Sequence, residues 1–187
     1  MGATRSGSGP RLTRADWIEA AWAVLRDTAA AQPSVAEIAK RLGVTKGSFY
    51  WHFEDRADFR SAMFEFFHEE QTEFVMRAMR AVEGTPGQRL RALSSFLAEH
   101  LDASRERAVY QWAAHDAEIA AAVAEDQEQR IAYVAGMLRA GGWPPAKARA
   151  RATIFVLLMS GWNLTRPAQR AAELRRYARQ IEELFDD

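Results

Sequence analysis

Apolar residues recur every three or four positions along almost the whole of this chain, which is the period of an amphipathic α-helix. In the first such segment, residues 14–30, the apolar stripe runs through Trp17, Ile18, Ala21, Val24 and Leu25. No segment shows the sustained two-residue alternation that is typical of a β-strand. The pattern therefore predicts an all-α protein with about nine helices, in which the tryptophan of this stripe belongs to the core.

Residues 34–53 have the layout of two short helices joined by a tight turn. We expect Ser34 to cap the first helix and Glu37 to complete a capping box. Gly43 falls where that helix has to end in a left-handed conformation, and Thr45 is a good N-cap for the second helix. The order helix, glycine turn, helix is that of a helix-turn-helix, whose second helix lies in the major groove of DNA.

The second helix and its exit carry a more specific pattern. Residues 45–53 read T-K-G-S-F-Y-W-H-F and are followed by Glu54, Asp55 and Arg56. This stretch closely resembles the recognition helix of TetR-type (tetracycline repressor-like) transcription regulators, and its Tyr-x-His-Phe ending is the most specific part. The motif resemblance covers about residues 15–62, and beyond it the resemblance is one of architecture.

The resemblance implies two parts after an N-terminal arm. Residues 13–58 would form a three-helix DNA-binding head, and residues 59–187 a helical body for ligand binding and dimerisation. Residues 1–12 are rich in Gly and Ser, which favours a disordered arm. The alternative is a basic arm that touches phosphates or the minor groove through Arg5 and Arg11.

The resemblance also assigns DNA contact to individual residues. Lys46 could donate to guanine or to a phosphate, Gly47 would let the helix approach the groove closely, and Tyr50 and His52 would donate to phosphates, which position the helix without reading bases. Phe49 is expected to face the core, together with Phe53. The complete set predicted to bind DNA is Ser34, Thr45, Lys46, Gly47, Ser48, Tyr50, Trp51, His52 and Arg56.

Charge alone would not predict DNA binding. The chain has a net charge of zero, and its first sixty residues carry nine Lys and Arg against seven Asp and Glu, a net of +2. Glu54 and Asp55 stand beside Arg56, which resembles the family's phosphate-contacting basic residue. Asp55 is explained as a helix cap, whereas Glu54 is expected to weaken DNA affinity.

A long helix follows the helix-turn-helix. Its apolar positions continue from Asp55 for about 27 residues, or roughly 40 Å at 1.5 Å per residue. Residues 84–87, G-T-P-G, end it, and Thr85 predicts a capped start for the next helix. Further on, we expect a short helix over residues 107–114 and an N-cap at Asp116.

The last two helices are predicted to form a homodimer interface. Residues 152–162 are apolar almost all round, which is more apolar surface than one core face uses. The resemblance points to the same region, and a dimer would read a palindromic operator with two heads about 34 Å apart or a multiple of that distance. Packing within one chain is the alternative for each candidate: Phe155, Leu158, Trp162, Leu174, Tyr177, Ile181 and Leu184.

The resemblance further implies a small-molecule pocket in the body. Nine residues combine apolar bulk with a few polar groups, which suits a hydrophobic or aromatic ligand. Ordinary packing is the alternative for each of them: Phe67, Gln71, Phe96, His100, Tyr110, Trp112, His115, Met159 and Asn163. No histidine pair has the spacing of metal ligands on one helix, so no metal and no cofactor is expected.

Composition and missing motifs narrow the classes of protein to which this chain can belong. The chain has no cysteine, which excludes disulfides and thiolate chemistry and fits a cytoplasmic protein. The N-terminus lacks the apolar run of a signal peptide, and no segment approaches the 20 or so apolar residues of a membrane span. Phosphate-binding loops and nucleophile or zinc-hydrolase motifs are missing too, so an enzyme is not expected.

Together these observations predict a homodimeric transcription regulator that binds double-stranded DNA. We expect a repressor that a small hydrophobic or aromatic effector releases from a palindromic operator. Two alternatives remain: a DNA-binding regulator without a ligand, and a helical protein-interaction module.

Overall fold

The computed structural model describes residues 12–28, 32–165 and 168–185. Within those ranges every regular element is helical, which confirms the all-α prediction. The prediction of a disordered arm falls on residues outside the described ranges, apart from Leu12. The elements are α1 Arg14–Thr28, α2 Val35–Leu42, a 3-10 helix Lys46–Trp51, α3 Arg56–His68, a π-helical turn Glu69–Glu73, α4 Phe74–Met79, α5 Pro86–His100, α6 Ala103–Ala113, α7 Ala117–Ala140, α8 Pro145–Thr165 and α9 Arg170–Glu183.

The chain divides into two compact units, Met1–Met63 and Phe64–Asp187, which we call the head and the body. The division lies within α3, a few residues after the predicted boundary between residues 58 and 59. In the head, α1 packs on α2 and buries both Trp17 and Trp22. In the body, α5 packs on α9, and α7 packs on α6 and α8. None of the helices described is both long and apolar enough to cross a membrane.

Side-chain caps fix several helix starts as predicted. Thr85 and Gln88 form a complete capping box at the start of α5, and the Asp116 carboxylate accepts from two N–H groups at the start of α7. Asp55 accepts from Ala57 N at 2.7 Å at the start of α3. Each cap satisfies a backbone donor that the helix itself leaves unpaired, which is why these starts can be read from sequence.

Two predicted caps are wrong. Neither Ser34 nor Thr45 makes a side-chain cap hydrogen bond, so the Ser34–Glu37 capping box does not form. The second helix of the helix-turn-helix is a 3-10 helix, and Ser48 N donates to Thr45 O at 3.1 Å. Because this i to i+3 bond already satisfies the backbone donor, the Thr45 hydroxyl is not needed as an acceptor.

Other helix limits differ from the sequence prediction. The helix predicted over residues 107–114 begins earlier, at Ala103, because the Asp102 side chain caps it by accepting from Ser104 N at 2.9 Å. The long helix after Asp55 keeps helical backbone angles up to Arg80. It contains the π-helical turn Glu69–Glu73, which the apolar pattern gave no reason to expect.

Gly43 ends α2 in the left-handed conformation that the sequence predicts, with φ 69°. A Cβ at this position would meet nothing within 4 Å, so a substitution is opposed by backbone strain alone. We predict that Gly43→Ala lowers the free energy of unfolding by about 1 kcal/mol. Urea denaturation measures the loss, and Gly47→Ala is the control because Gly47 lies in a helix and has no positive φ. The control should not lower the free energy of unfolding. Equal losses in the two variants would contradict the prediction.

Candidate nucleic-acid interface and ligand cavity

Phe49 anchors the 3-10 helix Lys46–Trp51 in the head. Its side chain is completely buried. Its ring lies edge-on to Trp17 at 5.5 Å and to Phe59 at 5.2 Å, and it stacks on Phe53 at 5.1 Å. These contacts fix which side of the short helix faces the core, as the sequence predicted for Phe49 and Phe53.

The opposite side of this helix carries large side chains that the head does not cover. Trp51 is 86% exposed and Tyr50 is 66% exposed. Lys46 and Gly47 are also exposed, and Lys46 has no ion-pair partner among the described residues. A short helix that exposes two aromatic rings, a cation and a glycine has the composition of a surface that a partner covers.

A cluster around Arg14 holds the exit of the 3-10 helix. Arg14 donates to His52 O at 2.9 Å and binds the Asp58 carboxylate at 2.5 and 3.2 Å. Its guanidinium lies over the Phe53 ring at 4.5 Å. The cluster joins α1, the helix exit and α3, and it was missed from sequence because Arg14 and Asp58 are 44 positions apart.

The same contacts lower the pKa of the Asp58 carboxyl. Hydrogen bonds from Arg14, and then from the Glu54 N–H, hold the pKa of this carboxyl below its ordinary value of 3.8. A carboxylate whose pKa is lower in the folded state than in the unfolded state stabilises the fold at pH values above its unfolded-state pKa. That stabilisation is lost as the pH falls through the folded-state pKa. The head should therefore lose stability when it is acidified below about pH 4.

We predict that Asp58→Asn destabilises the head at pH 7 and that the difference from wild type shrinks at pH 3. Hydrogen exchange of the α1 amides at both pH values measures this within the head. Asp27→Asn, which removes an exposed ion pair with Arg41, is the matched control and should have the smaller effect at pH 7. A difference between wild type and Asp58→Asn that grows on acidification would contradict the prediction.

The remaining predicted DNA contacts occupy two kinds of position. Thr45 and Arg56 are exposed, whereas Ser34, Ser48 and His52 are half-buried. The Ser48 hydroxyl donates to Thr45 O at 2.8 Å, so its proton is already used within the helix. Whether these residues contact DNA stays a prediction.

The body contains a cavity of about 60 Å³ among α5, α7, α8 and the π-helical turn. Three of the nine predicted pocket residues line it, namely Gln71, Met159 and Asn163. Phe96 and His100 instead stack on each other with ring centroids 4.2 Å apart, and His115 is exposed. The other predicted residues lie outside the lining: Phe67, Tyr110 and Trp112.

Arg130 stands at one side of this cavity and was missed from sequence. Its guanidinium donates to Glu106 at 2.9 Å, and its Nε lies 2.8 Å from Asp126 and 2.9 Å from Thr72 Oγ1. Burial by itself would lower the pKa of Arg130, but the Glu106 and Asp126 carboxylates outweigh it and raise the pKa above its ordinary value. Arg130 is therefore a permanent cation between two buried carboxylates.

The network continues to the π-helical turn. Asp126 Oδ1 lies 2.6 Å from His68 Nδ1, and His68 immediately precedes the turn. Gln71 and Thr72 of the turn are buried polar residues and line the cavity. Single π turns within α-helices are frequent at functional sites, and here the turn brings polar side chains to the cavity wall. In the part of the chain that the structure describes, no group of His, Asp and Glu side chains could hold a metal ion.

The candidate dimer residues on α8 and α9 separate into two groups. Phe155, Leu174 and Ile181 lie in the core of the body, where packing within the chain uses them. Leu158, Tyr177 and Leu184 are exposed, and Trp162 is half-buried with its Nε1 donating to Glu173 at 2.7 Å. Two further residues on α8 were missed and are more exposed than Leu158: Ile154 and Leu157.

Comparison of the sequence with known proteins finds its likeness in the head. Residues 18–63 match the family model described as bacterial regulatory proteins, tetR family. The HTH-type transcriptional regulator TtgR from Pseudomonas putida is 40% identical over 57 residues, which are 30% of this chain and 27% of TtgR. The chain thus matches little more than a quarter of that relative's length.

Comparison of the fold extends the likeness to the body. E. coli NemR in its reduced form has a TM-score of 0.74 at 18% identity, and the match covers 94% of this chain and 98% of NemR. FadR from Bacillus subtilis, solved in complex with stearoyl-CoA, has a TM-score of 0.68 at 19% identity, with 92% and 97% of the two chains covered. At such identities the likeness shows a shared fold.

Proposed function

We propose that this chain is a sequence-specific DNA-binding transcription regulator of the tetR family, whose model residues 18–63 match. The observation that carries the proposal is the exposed side of the 3-10 helix. Burial of Phe49 turns Lys46, Tyr50 and Trp51 outward together. Lysine and tyrosine can donate to phosphates, and an exposed indole can pack on the sugar-phosphate backbone or on a thymine methyl group.

The protein acts as a homodimer. One short helix reads few bases, and a two-fold dimer doubles the contacts and matches a palindromic operator. The exposed apolar side chains of α8 and α9 support this assembly, since such patches on a folded unit commonly mark protein interfaces. The surface comprises Ile154, Leu157, Leu158, Tyr177 and Leu184, with Trp162 at its half-buried edge.

A small molecule regulates DNA binding, and the protein is a repressor that its effector releases from the operator. The cavity beside Arg130 supports an effector site, because an apolar wall interrupted by a few polar groups is typical of small-molecule pockets. FadR, which shares the fold, was solved with stearoyl-CoA. The effector binds the DNA-free protein more tightly than the DNA-bound protein. This difference in binding free energy, typically 1–3 kcal/mol, is the amount by which the effector weakens operator binding.

Selection from random duplex DNA by the purified protein at about 150 mM salt tests the proposal, because non-specific phosphate binding is weak at that salt. We expect enrichment of a palindrome with half-sites about one helical turn apart or a multiple of it. Protein that is shown to be folded but enriches no sequence would contradict sequence-specific binding. That result would favour the alternative function, a helical protein-interaction module that uses the exposed apolar surface on α8 and α9.

A further inference from the structure

We infer that the cavity takes an uncharged, mainly apolar molecule that carries both a hydrogen-bond acceptor and a hydrogen-bond donor, bound between Arg130 and Asn163. The inference rests on the proposed function for the effector's regulatory role, but the binding itself is argued from the cavity alone. Three features of the described residues support it: the composition of the wall, the balance of buried charge, and two polar atoms without partners.

The wall of the cavity is apolar on most sides. Aliphatic and aromatic side chains from α4, α5, α7 and α8 contribute most of the lining, and this surface attracts an apolar body. The polar lining residues are Gln71 and Thr72 of the π-helical turn together with Glu106, Arg130, Tyr133, Ser160 and Asn163. The apolar lining comprises Val75, Leu93, Leu97, Leu101, Val134, Phe155, Val156 and the two methionines Met76 and Met159.

The buried charge next to the cavity disfavours an anion. Arg130 is already held by Glu106 and Asp126, whose side chains are only 2% and 3% exposed. One guanidinium therefore faces two carboxylates, and His68 contacts the second of them. A ligand carboxylate would add a third negative group in a poorly solvated region, where like charges repel strongly. Arg130 is accordingly a hydrogen-bond donor to a neutral oxygen and not a free cation that awaits an anion.

Two buried polar atoms on the cavity-lining residues lack partners. Arg130 Nη2 and Asn163 Oδ1 form no hydrogen bond with any described residue, and Asn163 is only 8% exposed. A buried polar group without a partner costs about 1–3 kcal/mol. A ligand oxygen that accepts from Arg130 Nη2 and a ligand N–H or O–H that donates to Asn163 Oδ1 would remove both costs.

The volume of the cavity favours a small ligand. A volume of about 60 Å³ is smaller than the roughly 150 Å³ that accommodates benzene in an engineered apolar cavity. Methionine side chains are flexible and adapt to irregular spaces, so binding of a single ring requires Met76 and Met159 to move. Probes with one ring therefore suit the test.

Three probes of nearly equal size separate the requirements. Benzamide is neutral and has a carbonyl acceptor and an N–H donor, benzoate replaces the donor with a negative charge, and toluene has neither polar function. Calorimetric or NMR titration of the full chain without DNA should give benzamide at least about tenfold tighter binding than benzoate or toluene. Asn163→Leu should weaken benzamide at least about tenfold and leave toluene within about twofold, since the wall is preserved.

His115→Gln, which changes an exposed residue away from the cavity, is the control and should leave all three affinities unchanged. Benzoate binding as tightly as benzamide, benzamide binding unaffected by Asn163→Leu, or no binding by any probe would overturn the inference. Because DNA is absent from these titrations, such a failure is distinct from failure of the operator selection, which tests the regulator proposal itself.

Discussion

Replacing Lys46 and Tyr50 together with alanine is expected to lower the affinity for the selected DNA by at least about 100-fold. A good bidentate contact with a base is worth about 1–3 kcal/mol, and a dimer loses the contacts of both residues twice. Both side chains are exposed, so the free energy of unfolding should change little. Tyr50 does lie edge-on to the Phe49 ring at 5.3 Å, which limits the stability loss to about 1 kcal/mol. Fluorescence anisotropy with the labelled duplex measures the affinity, and urea denaturation measures the stability.

The matched control is Lys147→Ala with His115→Ala, two exposed residues of the body. It removes a lysine and a hydrogen-bonding ring of comparable kinds and should leave DNA affinity within about twofold. Gly47→Ala adds a separate test, because a Cβ there would meet only the Thr45 hydroxyl at 3.7 Å. This variant should fold normally yet bind DNA more weakly, since the added methyl group would stand between the helix and the groove. If the double variant and the control lose affinity equally, the 3-10 helix is not the reading element.

Arg130→Met is expected to lower the free energy of unfolding of the body by about 3–5 kcal/mol, because it leaves Glu106 and Asp126 buried without a cation. A methionine replaces much of the side-chain volume, so the loss comes mainly from charge and not from a void. Equilibrium denaturation in urea at pH 7 measures it, with helical circular dichroism as the signal.

Arg149→Met is the control for this prediction. Arg149 pairs with Glu128 at 2.6 Å on the surface, with both side chains more than half exposed, and such pairs contribute at most about 1 kcal/mol. Replacing Glu106 by Gln in the Arg130→Met background should recover part of the loss, since one uncompensated charge is removed. An Arg130→Met loss no larger than that of the control would show that the network is solvated and not a buried one.

Local signals in the sequence predicted the helices and the core of the head. Phe49 and Phe53 were correctly expected to face inward, since they are four positions apart and so lie on one side of a helix. Thr85 and Asp116 were correctly predicted as caps because the cap and its N–H partner lie within three residues. The family resemblance rested on residues 45–53, and the match of residues 18–63 to the tetR family confirms it.

Features that depend on distant residues could not be predicted in the same way. The Arg130 network joins the π-helical turn, α6 and α7, and nothing next to Arg130 in sequence indicates Glu106 or Thr72 as partners. The apolar run on α8 was recognised, but which of its sides faces the core depends on the neighbouring helices. Phe155, a candidate for the dimer interface, lies in the core, in line with the alternative of packing within one chain, whereas Leu157, which is not among the candidates, is exposed.

The most direct test of the central claim is the ratio of affinities of the full chain for the selected duplex and for a duplex of the same length and composition with scrambled sequence. Both affinities are measured at the same salt, about 150 mM, because phosphate contacts make binding strongly salt-dependent. The account predicts a ratio of at least about 1,000, the lower end for specific DNA-binding proteins. Equal affinities for the two duplexes, from protein whose fold is verified, would contradict a sequence-specific regulator.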